Sequence, residues 1–102
     1  MKQITLNIEV LTVLCNIDEP EKMQRFLLDL LTPNEIEEIG RRWELIKLLA
    51  DGVPQREIAK QLGISLGKIS RGAHEMKYGH DGFQEALSFL NAGDKRVRKN
   101  NL

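Results

Sequence analysis

The sequence predicts an all-α protein of about six helices carrying a helix-turn-helix, and three observations lead there. Apolar residues recur at three- and four-residue steps along most of the chain. No segment shows the sustained period of two that marks a half-buried strand. Start and stop signals separate the periodic stretches: Asp18-Glu19-Pro20, Thr32-Pro33-Asn34-Glu35, Asp51-Gly52 and Gly63 with Ser65.

The elements follow in order. Leu6 to Ile17 is apolar but broken by Asn7 and Glu9, and its length suits one helix better than a strand. Pro20, preceded by Asp18 and Glu19, opens a second helix in which Met23, Phe26, Leu27, Leu30 and Leu31 form one stripe. Thr32 then serves as N-cap, with Pro33 in the first helical position and Glu35 completing a capping box. The helix that follows is long, with Ile36, Ile39, Trp43, Ile46 and Leu49 on one face, Leu45 and Leu48 widening it, and Trp43 expected in the core. Phe83, Ala86, Leu87 and Leu90 make a last amphipathic helix, expected to end near Gly93.

Between these, Gln55 to Lys77 reads as two short helices joined at Gly63. Ile58 and Leu62 lie four apart with Ala59 beside them, so a second helix can cross closely. Gly63 takes the left-handed conformation without a Cβ penalty, and Ile64 turns in to cover the corner. Ser65 caps the next helix, whose Lys68, Ser70 and Arg71 stay outside while Leu66 or Ile69 packs inward. A recognition helix is laid out in this way. A purely structural helical hairpin is the plainer alternative.

The chain has 102 residues, 41% hydrophobic and 29% charged, with no low-complexity tract. One domain is expected over 1–93, with the helix-turn-helix at about 54–77, followed by a basic flexible tail over 94–102. No apolar run approaches the roughly 18 residues that span a bilayer, and no signal peptide is visible, so a cytoplasmic location without membrane association is expected. Cys15, the single cysteine, is expected to be a small buried hydrophobe. Net charge is zero but unevenly spread: residues 1–40 hold three Lys/Arg against eight Asp/Glu, and residues 41–102 twelve against seven. The acidic half would repel phosphate while the basic half approaches it, giving salt-dependent, oriented binding to double-stranded DNA.

Enzyme function is not expected: His74 and His80 lack Cys or carboxylate partners at metal spacing, and neither a nucleophile motif nor a phosphate loop is present. A helical protein-interaction adaptor is the competing class. The first three helices present more apolar surface than one small chain covers, so an intertwined homodimer is expected. It would set two recognition helices about 34 Å apart, matching a palindromic operator.

These residues resemble the tryptophan operon repressor (TrpR) family, including its YerC/YecD-like branch. Leu31-Thr32-Pro33-Asn34-Glu35 and Ile39-Gly40-Arg41-Arg42 are similar to the family's LTPxE and later G-x-R segments. Gln55-Arg56-Glu57-Ile58 is similar to its QRE-L/I, and Ile69-Ser70-Arg71-Gly72 to its I-T-R-G. Lys77-Tyr78-Gly79 and Asp81 to Leu87 resemble the YerC-type YGxDxxxxAL run, and the stretch from Gly52 to Gln55 is one residue shorter than in tryptophan-binding members, as in that branch.

The resemblance implies a dimeric repressor of transcription. Leu66, Gly67, Lys68 and Ser70 would face the major groove, and Gln55, Arg56 and Arg71 would mainly hold phosphates. No cofactor is required, but the resemblance raises L-tryptophan or a related ligand as a corepressor, with Thr32 near its amino group and Arg42, Arg71 and Gly72 around its indole. Gly72 gives an independent reason for interest: a mid-helix glycine costs about 1 kcal/mol and leaves a hole that a flat ring can fill. The alternative is that Gly72 only permits close packing and that DNA binding is ligand-independent, as a YerC-like regulator. Glu75 stands where tryptophan-binding members have serine, and would either pair with a ligand's amino group or neutralise Arg71.

Overall fold

The structure is a computed structural model that describes residues 4–91. It contains six helices and, among the described residues, no strand: α1 (Ile8–Asn16), α2 (Pro20–Leu30), α3 (Pro33–Ala50), α4 (Gln55–Leu62), α5 (Leu66–Tyr78) and α6 (Gly82–Asn91). The all-α expectation holds. The expected end of the last helix near Gly93 and the basic tail 94–102 lie outside the described residues. No described helix is long and apolar enough to cross a membrane. The chain divides into two compact units, Met1–Ile36 and Glu37–Leu102.

The first unit is organised by its caps. Asn7, an apparent interruption of an apolar run, begins α1: its Oδ1 accepts from the amides of Glu9 at 2.9 Å and Val10 at 3.1 Å. Pro20 opens α2 at its first position, with Glu19 at the N-cap. Thr32 and Glu35 form the expected capping box at the start of α3. The Thr32 amide donates to Glu35 Oε1 at 2.8 Å, and the Glu35 amide to Thr32 Oγ1 at 3.2 Å. Neither α1 nor α2 has a buried side chain. Cys15 is exposed, contrary to the sequence expectation, and Val13 beside it is 42% exposed: apolar neighbours in sequence mark a face without supplying a cover for it.

The second unit holds the core. Leu45, Ile58 and Ile69, from α3, α4 and α5, form one cluster of buried side chains. Leu48, Leu49, Val53, Ala59, Leu62 and Ile64 pack around it. Ile46, Ile58 and Ile69 are fully buried. The inward face of α3 is therefore centred on Leu45 and Ile46. Trp43, one turn earlier, is only half-buried, and Ile39 is 52% exposed, so full burial on the stripe read from the sequence is confined to Ile46.

Gly52 and Gly63 adopt left-handed backbone, with φ of 79° and 64°, and end α3 and α4. The Gly63 amide closes α4 by donating to Ala59 O at 2.9 Å. Replacing Ile69 by Ala is expected to lower unfolding free energy by about 2–5 kcal/mol, and Gly63→Ala by about 1–2 kcal/mol through the left-handed backbone alone. Urea denaturation at one fixed protein concentration measures both.

Candidate nucleic-acid interface and adjoining cleft

The α4–α5 pair is the helix-turn-helix expected from the sequence, and local chemistry fixes each of its joints. Pro54 occupies the N-cap position of α4, where its lack of an amide costs nothing. Its carbonyl accepts from the amides of Glu57 at 2.9 Å and Ile58 at 3.0 Å. Gly63 makes the turn. Ser65 caps α5, its Oγ accepting from the Lys68 amide at 3.2 Å. Ile58 and Ile69 lock the two helices together from inside.

Outside, the positions assigned to DNA are all exposed: Gln55, Arg56, Leu66, Gly67, Lys68, Ser70 and Arg71. Leu66, at the entry of α5, keeps 49% of its surface open. Two of these residues meet across the helix pair. The Ser70 hydroxyl donates to Gln55 Oε1 at 3.3 Å, tying the middle of α5 to the start of α4. Further along α5, His74 and Tyr78 meet in a tilted arrangement, 4.9 Å between ring centroids and 48° between planes, and Lys77 Nζ sits 5.4 Å from the Tyr78 ring centroid.

Beside α5 lies a cleft of about 760 Å³, walled by α3, α5 and the α5–α6 corner. That volume falls within the roughly 300–1,000 Å³ of small-molecule sites. Arg42, Arg71, Gly72 and Glu75, four of the five residues proposed for a ligand, share this lining. Thr32, the fifth, belongs to the first unit, and its hydroxyl is engaged in the capping box.

The hole expected over Gly72 is closed. A Cβ built on Gly72 would lie 2.9 Å from Leu45 Cδ2 and 3.7 Å from Leu49 Cδ1, so the glycine lets α3 side chains press directly on α5. The cleft therefore opens beside Gly72, not in place of its missing side chain.

The cleft also draws on residues that the sequence reading did not assign to it. Glu38, Arg41 and Leu45 stand at helical spacing around Arg42 on α3 and mark its wall, with Trp43 beside them. His80, Asp81 and Phe83 come from the α5–α6 corner. Asp81 has a φ of 65°, the one positive value at a described non-glycine residue. Lys68, assigned to base reading, is on this lining too, one turn before Arg71 and two before Glu75.

The electrostatics are mixed. Arg41, Arg42, Lys68 and Arg71 face Glu38, Glu75 and Asp81 around the rim. Arg42 is already engaged: its Nη2 lies 3.5 Å from Glu38 Oε1, in an exposed pair worth no more than about 1 kcal/mol. A ligand carboxylate could displace Glu38 at little cost.

The sequence model of the family described as Trp repressor protein matches residues 7–91. The chain belongs to the Trp repressor family. Among its relatives in this family, a Trp operon repressor homolog from Mannheimia succiniciproducens is 38% identical over 86 residues, covering 83% of this chain and 82% of that protein. One from Chlamydia caviae is 38% identical over 80 residues, covering 76% and 79%. YerC of Bacillus subtilis, a protein of uncharacterised function, is 33% identical over 72 residues, covering 71% and 69%. A crystal structure from Staphylococcus aureus, provisionally assigned as a Trp repressor, superposes with a TM-score of 0.74. Its identity is 26%, and the match covers 81% of this chain and 83% of that one. Similarity to both the repressor homologs and YerC accords with the mixed motifs in the sequence.

In this Trp repressor family member, Gly72→Leu is expected to cost about 1–3 kcal/mol by forcing Leu45 and Leu49 aside. Chemical denaturation gives the value. A near-neutral result would mean that α3 and α5 separate easily.

Proposed function

We propose that the protein is a homodimeric, sequence-specific DNA-binding repressor of transcription. One observation carries this reading. The α4–α5 unit holds its packing residues Ile58 and Ile69 inside while Leu66, Gly67, Lys68 and Arg71 stand exposed along α5, with Gln55 and Arg56 beside them at the start of α4. Membership of the Trp repressor family and the names of its relatives support it. The exposed apolar side chains of α1 and α2, among them Ile8, Val13, Leu28 and Leu30, support a partner copy. Two copies would space the recognition helices about 34 Å apart on one face of DNA.

Selection from random duplexes at moderate salt tests the reading directly, and failure to enrich any motif, with or without amino acids, would sink it. Lys68→Ala is expected to relax preference at one base pair by about 1–3 kcal/mol, whereas Arg56→Ala should weaken all duplexes alike and lower the salt slope by about one. Salt titration on nonspecific DNA separates this reading from a protein-interaction adaptor, which would bind weakly throughout.

A second reading concerns gating. The cleft that joins Arg42, Arg71, Gly72 and Glu75 favours a small aromatic corepressor, L-tryptophan or a related amine, whose ring would lie between the guanidinium groups. Glu75 would hold its ammonium group. Calorimetry with L-tryptophan is expected to show saturable binding that is lost in Arg42→Ala. An absence of heat at millimolar ligand would instead favour a ligand-independent, YerC-like regulator.

A further inference from the structure

We infer that Ser70 is a positioning residue for Gln55 and not itself a reader of bases. This rests on the DNA-binding reading above and reassigns one residue within it. A serine in mid-helix ordinarily turns its hydroxyl back to a carbonyl of the preceding turn. Two hydroxyls of this chain do so, Thr12 to Ile8 O at 2.9 Å and Ser88 to Glu85 O. Ser70 departs from that habit, reaching across to Gln55 Oε1 at 3.3 Å.

The consequence for Gln55 follows from the chemistry of its amide. A primary amide has one acceptor oxygen and two N–H donors on opposite sides of the same carbon. With Oε1 taken up as the acceptor for Ser70, the Nε2 donors of Gln55 are left over, and among the described residues no other hydrogen bond engages this side chain. Gln55 is the first residue of α4 and stands beside the exposed Arg56. An amide with its donors left over at that position suits a phosphate oxygen, which only accepts. A freely rotating amide would offer its oxygen to the phosphate half of the time, and like dipoles would repel.

Ser70 therefore contributes affinity without sequence information. Its hydroxyl spends its one hydrogen on Gln55, so it cannot donate to a base acceptor and keeps only its acceptor lone pairs. Base reading is left to Leu66, Gly67 and Lys68 at the entry of α5.

The test combines a cycle of DNA affinities with a spectrum of the free protein. Ser70→Ala and Gln55→Ala are each expected to weaken binding to the selected duplex and to a scrambled one by the same factor, about three- to tenfold, the worth of a neutral hydrogen bond. The double variant should be no weaker than Gln55→Ala alone, because the two residues act as one unit. Ser70→Thr, which keeps the hydroxyl, should restore affinity. The salt slope should stay unchanged in all of them, as no charge is removed.

In the free protein, the side-chain amide resonances of Gln55 should move in Ser70→Ala while the backbone amides of α4 and α5 stay in place. Losses that multiply, a changed base preference in Ser70→Ala, or unmoved Gln55 amide resonances would each overturn the assignment. If the wild-type protein bound no duplex at all, the DNA-binding reading would fall and this one with it. Additive losses in a protein that does bind DNA would remove only the role of Ser70.

Discussion

The crossing of α5 over α3 at Gly72 is the constraint on which the rest of the second unit depends. Leu45 lies against the bare backbone of Gly72 and belongs to the same cluster as Ile58 and Ile69. A side chain at position 72 would hold the helices apart, and Leu45 would no longer reach the core it shares with α4 and α5. Because the contact is made on one flank of α5, Leu66, Gly67, Ser70 and Arg71 stay exposed, and the rim between α5, α3 and the α5–α6 corner is left as a cleft. A glycine that costs helix propensity is retained where close approach returns more in packing.

Features set by a few neighbouring residues were legible in the sequence. The Thr32–Glu35 capping box, the left-handed Gly63 and the Ser65 cap each depend on local hydrogen bonds or a single φ, and all stand as read. Features set by what covers a surface were not. Asn7 looked like a break in an apolar run because its neighbours are apolar; only the geometry reveals that its Oδ1 caps α1. Ile39 and Trp43 fell on an apolar stripe and Cys15 among apolar neighbours, yet such patterns identify a face and not its cover.

The cleft was half legible for the same reason. Arg42, Arg71, Gly72 and Glu75 could be named from motifs, whereas His80, Asp81 and Phe83 reach the site through a corner whose path depends on the positive φ of Asp81. No periodic pattern encodes that turn. The signal present in the sequence was the helical spacing of Glu38, Arg41, Arg42 and Leu45, a charged edge beside an apolar one. Such an edge marks a rim wherever the apolar positions prove to be core, and Leu45 is core.

Leu45 is also where the cleft and the helix-turn-helix are physically joined. It lines the cleft, touches Gly72, and is packed with Ile58 of α4 and Ile69 of α5. A flat occupant settling beside Gly72 has to share that space with Leu45, and any rotation of Leu45 is felt by the residues that set the angle between α4 and α5. Close-packed interiors respond to such a change by shifting between discrete arrangements, not by yielding smoothly. Lys68 adds a second connection, since it lies on the cleft wall and in the first turn of α5. On the proposed reading, linkage would make the effect reciprocal: an occupant that favoured a DNA-competent arrangement would itself be bound more tightly on DNA, by the same factor. The sign of that coupling is decided by whether the occupant draws Lys68 and Arg71 into the cleft or, by satisfying Glu75, leaves them free for the phosphates.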